Sequence, residues 1–141
     1  MSVKERNQDL HMVAELVKVH LPNTLNKLND PALCKDICAV LAINLRRIAA
    51  DVEKSANAWD KRTYHSKADA LRRENAWAEQ AAEMSEIFAY SPKRFDADDL
   101  ARLQRLVPED LELLQRPRFK NIEDVRGAAA AARKTVLKPP K

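Results

Sequence analysis

A single glycine, Gly127, serves all 141 residues. A glycine-rich phosphate loop is thereby excluded, and so is a sheet whose strands are joined by tight glycine turns. Cysteine is almost as scarce. Cys34 and Cys38 lie one helical turn apart, a spacing that builds no disulfide framework and predicts a reducing compartment. No apolar run approaches the ~18 residues of a membrane span. The opening Met1-Ser2-Val3-Lys4-Glu5-Arg6 lacks the apolar core of a signal peptide. These absences predict a soluble, cytoplasmic protein with no membrane partner.

What is present is helix-forming. Hydrophobic residues make up 45% and charged residues 33%, and the abundant alanine, leucine, glutamate, lysine and arginine are the residues that lose least on entering a helix. The length suits one core. Net charge is +4, unevenly spread: residues 1–116 hold 18 Lys and Arg against 19 Asp and Glu, whereas residues 117–141 hold 7 against 2. The chain therefore divides into a helical bundle domain, 1–116, and a basic, partly helical C-terminal tail, 117–141.

Residues 4–20 place Leu10, Val13, Leu16 and Val17 at helical spacing, and Leu21-Pro22-Asn23 is expected to end this first helix. Asp30-Pro31 reads as a helix start, because Asp30 accepts free N–H groups and Pro31 has none to lose. From there Cys34, Ile37, Leu41, Leu45, Ile48, Val52, Ser55 and Trp59 form the seam of an antiparallel bundle helix. A turn is expected at residues 63–65, with Ser66-Lys67-Ala68-Asp69 as the capping box of a third helix over 67–88. The alternative is one helix from Pro31 to Ala89. Asp96 or Asp98 is expected to cap a fourth helix, kinked or split at Pro108, whose second piece carries Leu111, Leu113 and Leu114 before Pro117. Asn121 is expected to cap a last helix through the run Ala128 to Ala132. The predicted fold is an all-α, mostly antiparallel bundle of four main helices, built on a long central hairpin, with a peripheral C-terminal helix.

Chemistry is sparsely signalled. Structural zinc takes cysteine in separated pairs, and no second pair accompanies Cys34 and Cys38, so these read as buried small hydrophobes. His11, His20 and His65 fall in different segments. Neither a metal nor a cofactor is predicted. Arg6-Asn7-Gln8-Asp9-Leu10-His11 resembles the arginine–histidine motif of HEPN ribonucleases. That resemblance, confined to these residues, implies a helical bundle acting on the RNA phosphodiester, with His11 moving a proton and Arg6 stabilising phosphate charge.

Two stretches carry cations suited to nucleic acid. Around Trp59, Tyr64 and Trp77 lie Lys61, Arg62, Lys67, Arg72 and Arg73, a mixture in which rings stack on bases and cations pair with phosphates. The stronger reading is structural, with Trp59 and Trp77 packed across the two helices at the end of a hairpin. The tail adds Arg118, Lys120, Arg126, Arg133, Lys134, Lys138 and Lys141, a source of salt-sensitive affinity for phosphates. With no catalytic set legible from spacing, the leading expectation is a non-catalytic module acting through a protein partner or self-association. Nucleic-acid binding through the tail and residues 59–77 is the alternative, and a small HEPN-like ribonuclease the remote one.

Overall fold

The computed structural model describes residues 3–136, the last three by backbone alone, and every regular element among them is helical. The chain opens with α1, Val3–Glu15, which runs through a π-helical turn, Leu16–His20, into α2, Leu21–Asn26. The expected stop at Pro22 does not occur. In a regular helix the proline ring crowds the carbonyl four residues back and offers no N–H. The wider turn changes the register just before it, so that the Leu21 N–H bonds the Leu16 carbonyl. Burial of Leu21 and Thr24 carries the helix past the proline.

Helix α3, Pro31–Lys61, starts as predicted: the Asp30 carboxylate accepts the Leu33 N–H at 3.0 Å, and Pro31 takes the first helical position. Its stripe of Cys34, Ile37, Leu41, Leu45, Ile48 and Val52 is buried. Each such large side chain contributes about 1.5–3 kcal/mol by leaving water. The helix spans ~45 Å at 1.5 Å per residue, and most of the other elements pack along it.

The chain turns back at residues 62–64, close to where the sequence places the turn. The end of α3 is a Schellman motif: the Tyr64 N–H bonds the Trp59 carbonyl and the Thr63 N–H bonds that of Asp60, both at 2.9 Å. Thr63 takes the left-handed position, with φ 64°. Helix α4, His65–Glu74, begins before Ser66, so the expected capping box is not formed; Tyr64 is the cap residue and no side chain caps this end. The expected single third helix is two. Asn75 donates from its amide to the Leu71 carbonyl at 2.9 Å, the local bond by which asparagine competes with helix. Helix α5, Ala76–Tyr90, follows.

Helix α6, Ala97–Leu106, carries a capping box in which Asp96 accepts the Asp99 N–H and Asp99 accepts that of Asp96. The expected helical piece after Pro108 is absent, and residues 107–121 run as an irregular strap. Asn121 does cap, but over a single 3-10 turn, Ile122–Val125. Gly127, at φ 91°, then swings the chain into α7, Ala128–Val136. Asp36 of α3 caps α7 from outside, accepting the Gly127 N–H at 2.8 Å and the Ala129 N–H at 3.0 Å.

The result is an all-α bundle. Helices α1 and α3 run antiparallel, since Arg6 reaches Asp51 and Ser55 while Asp9 meets Arg47. Helix α5 is antiparallel to α3 on the other side, with Arg46 on Glu86 and Lys35 donating to the Phe88 and Ser91 carbonyls. Phe95 and Leu103 close the core beside Leu16 and Leu21.

Candidate functional site

Two places on the surface combine built geometry with exposed chemistry. The first is the strap where it crosses α1. Pro108 pushes Val107 into extended geometry, φ −85° and ψ 131°. Beyond it, carbonyls that would otherwise serve a helix are taken by side chains. Lys18 Nζ donates to the Glu109 carbonyl at 2.6 Å and to that of Leu111 at 2.7 Å. His11 Nδ1 donates to the Glu112 carbonyl at 3.1 Å. The strap is thus fastened through its main chain, and Leu113 and Leu114 are left 44% and 40% exposed.

Its far end is clasped by Glu15. This carboxylate, 6% exposed, accepts the Arg118 N–H at 2.6 Å and the Phe119 N–H at 3.1 Å, and meets His20 Nε2 at 2.6 Å. An ionised carboxylate only accepts, so Nε2 carries the proton. In an α-helix, residues five apart diverge by about 140°. The π turn, closed between residues five apart, brings Glu15 and His20 to one face. His20 also meets Phe119 edge-on, with ring centres 5.7 Å apart. Burial alone would raise the Glu15 pKa, but bonds from the Arg118 N–H, His20 and the Phe119 N–H outweigh it and hold the group below its ordinary value.

The second place is the tip where α3 turns into α4. The Trp59 and Tyr64 rings meet at 87° with centres 5.6 Å apart. Lys67 Nζ lies 4.7 Å from the Trp59 ring centre and 5.3 Å from that of Tyr64, and the Arg62 guanidinium is 5.9 Å from Trp59. Arg72 stands apart from these cations. It gathers Asp60 at 2.8 Å, Glu53 at 3.3 Å and Asp69 at 3.6 Å, with Asn57 beside them. Asp60 also receives His65. Lys61 and Arg73 are exposed.

The predicted cations do not form one surface. Arg126 is held by Asp30 and Glu123 near the start of α3, whereas Lys61 ends it, ~45 Å away. Arg133 donates to the Tyr90 carbonyl and lies 5.9 Å from the Tyr90 ring centre. Arg118 and Lys120 are exposed on the strap. Of Lys134 only the backbone is described, and Lys138 and Lys141 lie outside the described residues.

Arg6 and His11 are engaged in different directions, Arg6 with Asp51 of α3 and His11 with the strap. Beside them Asp9 is 3% exposed, and its Oδ2 is 3.4 Å from Arg47 Nε. Burial raises its pKa against the opposing pull of Arg47 and Arg118. Cys34 and Cys38 are free and buried, as expected, and burial pushes the Cys34 thiol up to about 12. No cluster of three or more His, Cys, Asp and Glu suited to a metal ion occurs among the described residues.

Glu15 and Asp36, the carboxylates that hold the C-terminal segment, were not picked out by sequence reasoning. For Glu15 the signal was an acid inside an apolar run, Val13-Ala14-Glu15-Leu16-Val17, and for Asp36 an acid between the buried positions Cys34 and Ile37. No family model, curated protein or solved structure matches the chain. No helix among the described residues is long and apolar enough to cross a membrane.

Proposed function

We propose that the protein is a non-catalytic interaction module that receives a protein partner on the strap between Pro108 and Pro117. The observation that carries this reading is the exposure of Leu113 and Leu114 on a segment fastened by its carbonyls. Because main chain supplies the anchorage, the side chains stay free for recognition, as in loops displayed on a rigid scaffold. Adjacent leucines flanked by Glu109, Asp110 and Glu112 suit an apolar pocket with a cationic rim. The π turn beneath the strap is a distortion frequent at functional sites.

The test places a photo-crosslinking residue at position 113 or, as control, at the exposed Lys54 of α3. Adducts are separated by mass into homodimers and complexes with another chain. The identified partner, or the chain itself, is then titrated calorimetrically against wild type and Leu113→Glu/Leu114→Glu. The reading expects an adduct specific to position 113 and loss of binding in the double variant. Equal adducts from both positions, or binding untouched by the leucine changes, would sink it.

A further inference from the structure

We infer that the α3–α4 tip is a binding site for single-stranded nucleic acid, with Tyr64 stacking on a base and Lys61, Arg62 and Lys67 holding phosphates. The site is independent of the strap. Its aromatic platform is built rather than incidental: Tyr64 is 52% exposed, yet its ring is fixed edge-on against Trp59 and its backbone is fixed as the last residue of the Schellman motif. An open ring held in place stacks a base at little ordering cost, and every base offers a face to it.

The charges around this ring are sorted. Arg72 draws Glu53, Asp60 and Asp69 to itself, and His65 takes the other oxygen of Asp60. Among the described residues Lys61, Arg62, Lys67 and Arg73 have no carboxylate partner, and Arg62 and Lys67 meet only rings. A cation over a ring keeps its charge, so these groups remain available to an anion.

The backbone adds to this. Helix α4 begins between Tyr64 and Lys67, and its first bond from a main-chain N–H runs from Ala68 to the Tyr64 carbonyl. No side chain caps this end. Its leading N–H groups therefore form the positive end of a helix without a capping anion, next to three cations and an open aromatic ring. A phosphate with an adjoining unpaired base satisfies all three features. A duplex would not, since its bases are already stacked on one another.

The test is fluorescence anisotropy of the full chain with labelled 12-nucleotide strands, oligo-U and oligo-dT, and with a duplex of equal length. Three phosphate contacts on a single strand predict a log–log salt slope near −2, or about a twentyfold loss of affinity between 50 and 200 mM salt. Tyr64→Ala is expected to weaken binding about fivefold or more. Lys61→Glu/Arg62→Glu is expected to abolish it, and Lys120→Glu on the strap to leave it unchanged. Circular dichroism and melting check that each variant is folded, and Lys61→Ala/Arg62→Ala, expected to weaken binding and its salt dependence, is the milder substitute if the charge reversals are not. No binding at low salt, equal binding of the duplex, or equal affinity of wild type and Tyr64→Ala would each overturn the inference.

Discussion

Replacing Glu15 by glutamine perturbs the clasp without changing its size. In the native protein, one oxygen accepts the Arg118 N–H while the other accepts the Phe119 N–H and His20. Glutamine has one acceptor oxygen, so at least one of the three donors loses its partner and faces an NH2 group instead. A hydrogen bond to a charged group contributes about 1.5–3 kcal/mol, and losing one strands a partly buried donor. A cost of about 2–3 kcal/mol at neutral pH follows, or a melting temperature lower by roughly 6–10 °C for a chain of this size. The pH dependence has a definite sign. Glu15 titrates lower when folded than its ordinary 4.5, so its contribution is complete above that value and is lost as pH falls through the lower, folded one. Urea unfolding of wild type and Glu15→Gln should therefore differ at pH 7 and converge on acidification, and exchange of the Arg118 and Phe119 amides should accelerate at pH 7. A variant within ~0.5 kcal/mol of wild type, the scatter of ordinary surface substitutions, with those amides unchanged, would refute the clasp.

Asp51→Ala leaves Arg6 unpaired in the α1–α3 seam, where the Asp51 side chain is 3% exposed; chemical denaturation should show a loss of about 3 kcal/mol, the low end for a broken buried pair because Arg6 keeps some solvent. Thr63 holds a left-handed conformation that favours glycine, so Thr63→Gly should stabilise by about 0.5–1 kcal/mol after the chain-entropy cost, and a lower melting temperature would contradict this. The Cys34 and Cys38 thiols are both pushed up by burial; a thiol reagent at pH 8 should label them no faster than the protein unfolds, and rapid labelling of native protein would show an opening absent from this structure.

Legibility varied with how local the cause was. The start of α3 was readable because Asp30 and Pro31 act within one turn, and its seam because burial follows spacing. The passage of the first helix through Pro22 was not, since the proline rule speaks against it and the compensating π turn depends on burial of Leu21 and Thr24. Residues 109–116 have helical spacing, yet Lys18 and His11, some ninety to a hundred residues earlier in sequence, hold the carbonyls in another arrangement. Charge alone nominated the site cations equally, whereas the structure sorts them: Arg72 and Arg126 are tied to carboxylates, while Lys61, Arg62 and Lys67 are not. Thr63 carried no sign of its left-handed backbone, because glycine is the usual marker.

Because α3 is one unbroken rod, its neighbours are distributed unequally along its length. Near Ile37 and Leu41 it is enclosed by the core, but its last turns, through Asn57 and Asp60, engage the half-buried Arg72 of α4. Exchange free energies along α3 are therefore expected to be lower near Lys61 than near Leu41, where they approach that of global unfolding. The two ends of α3 thus differ in how much core they touch, although both are held by defined contacts. A ligand held at the tip would slow exchange along the last turns of α3 and leave the core unchanged.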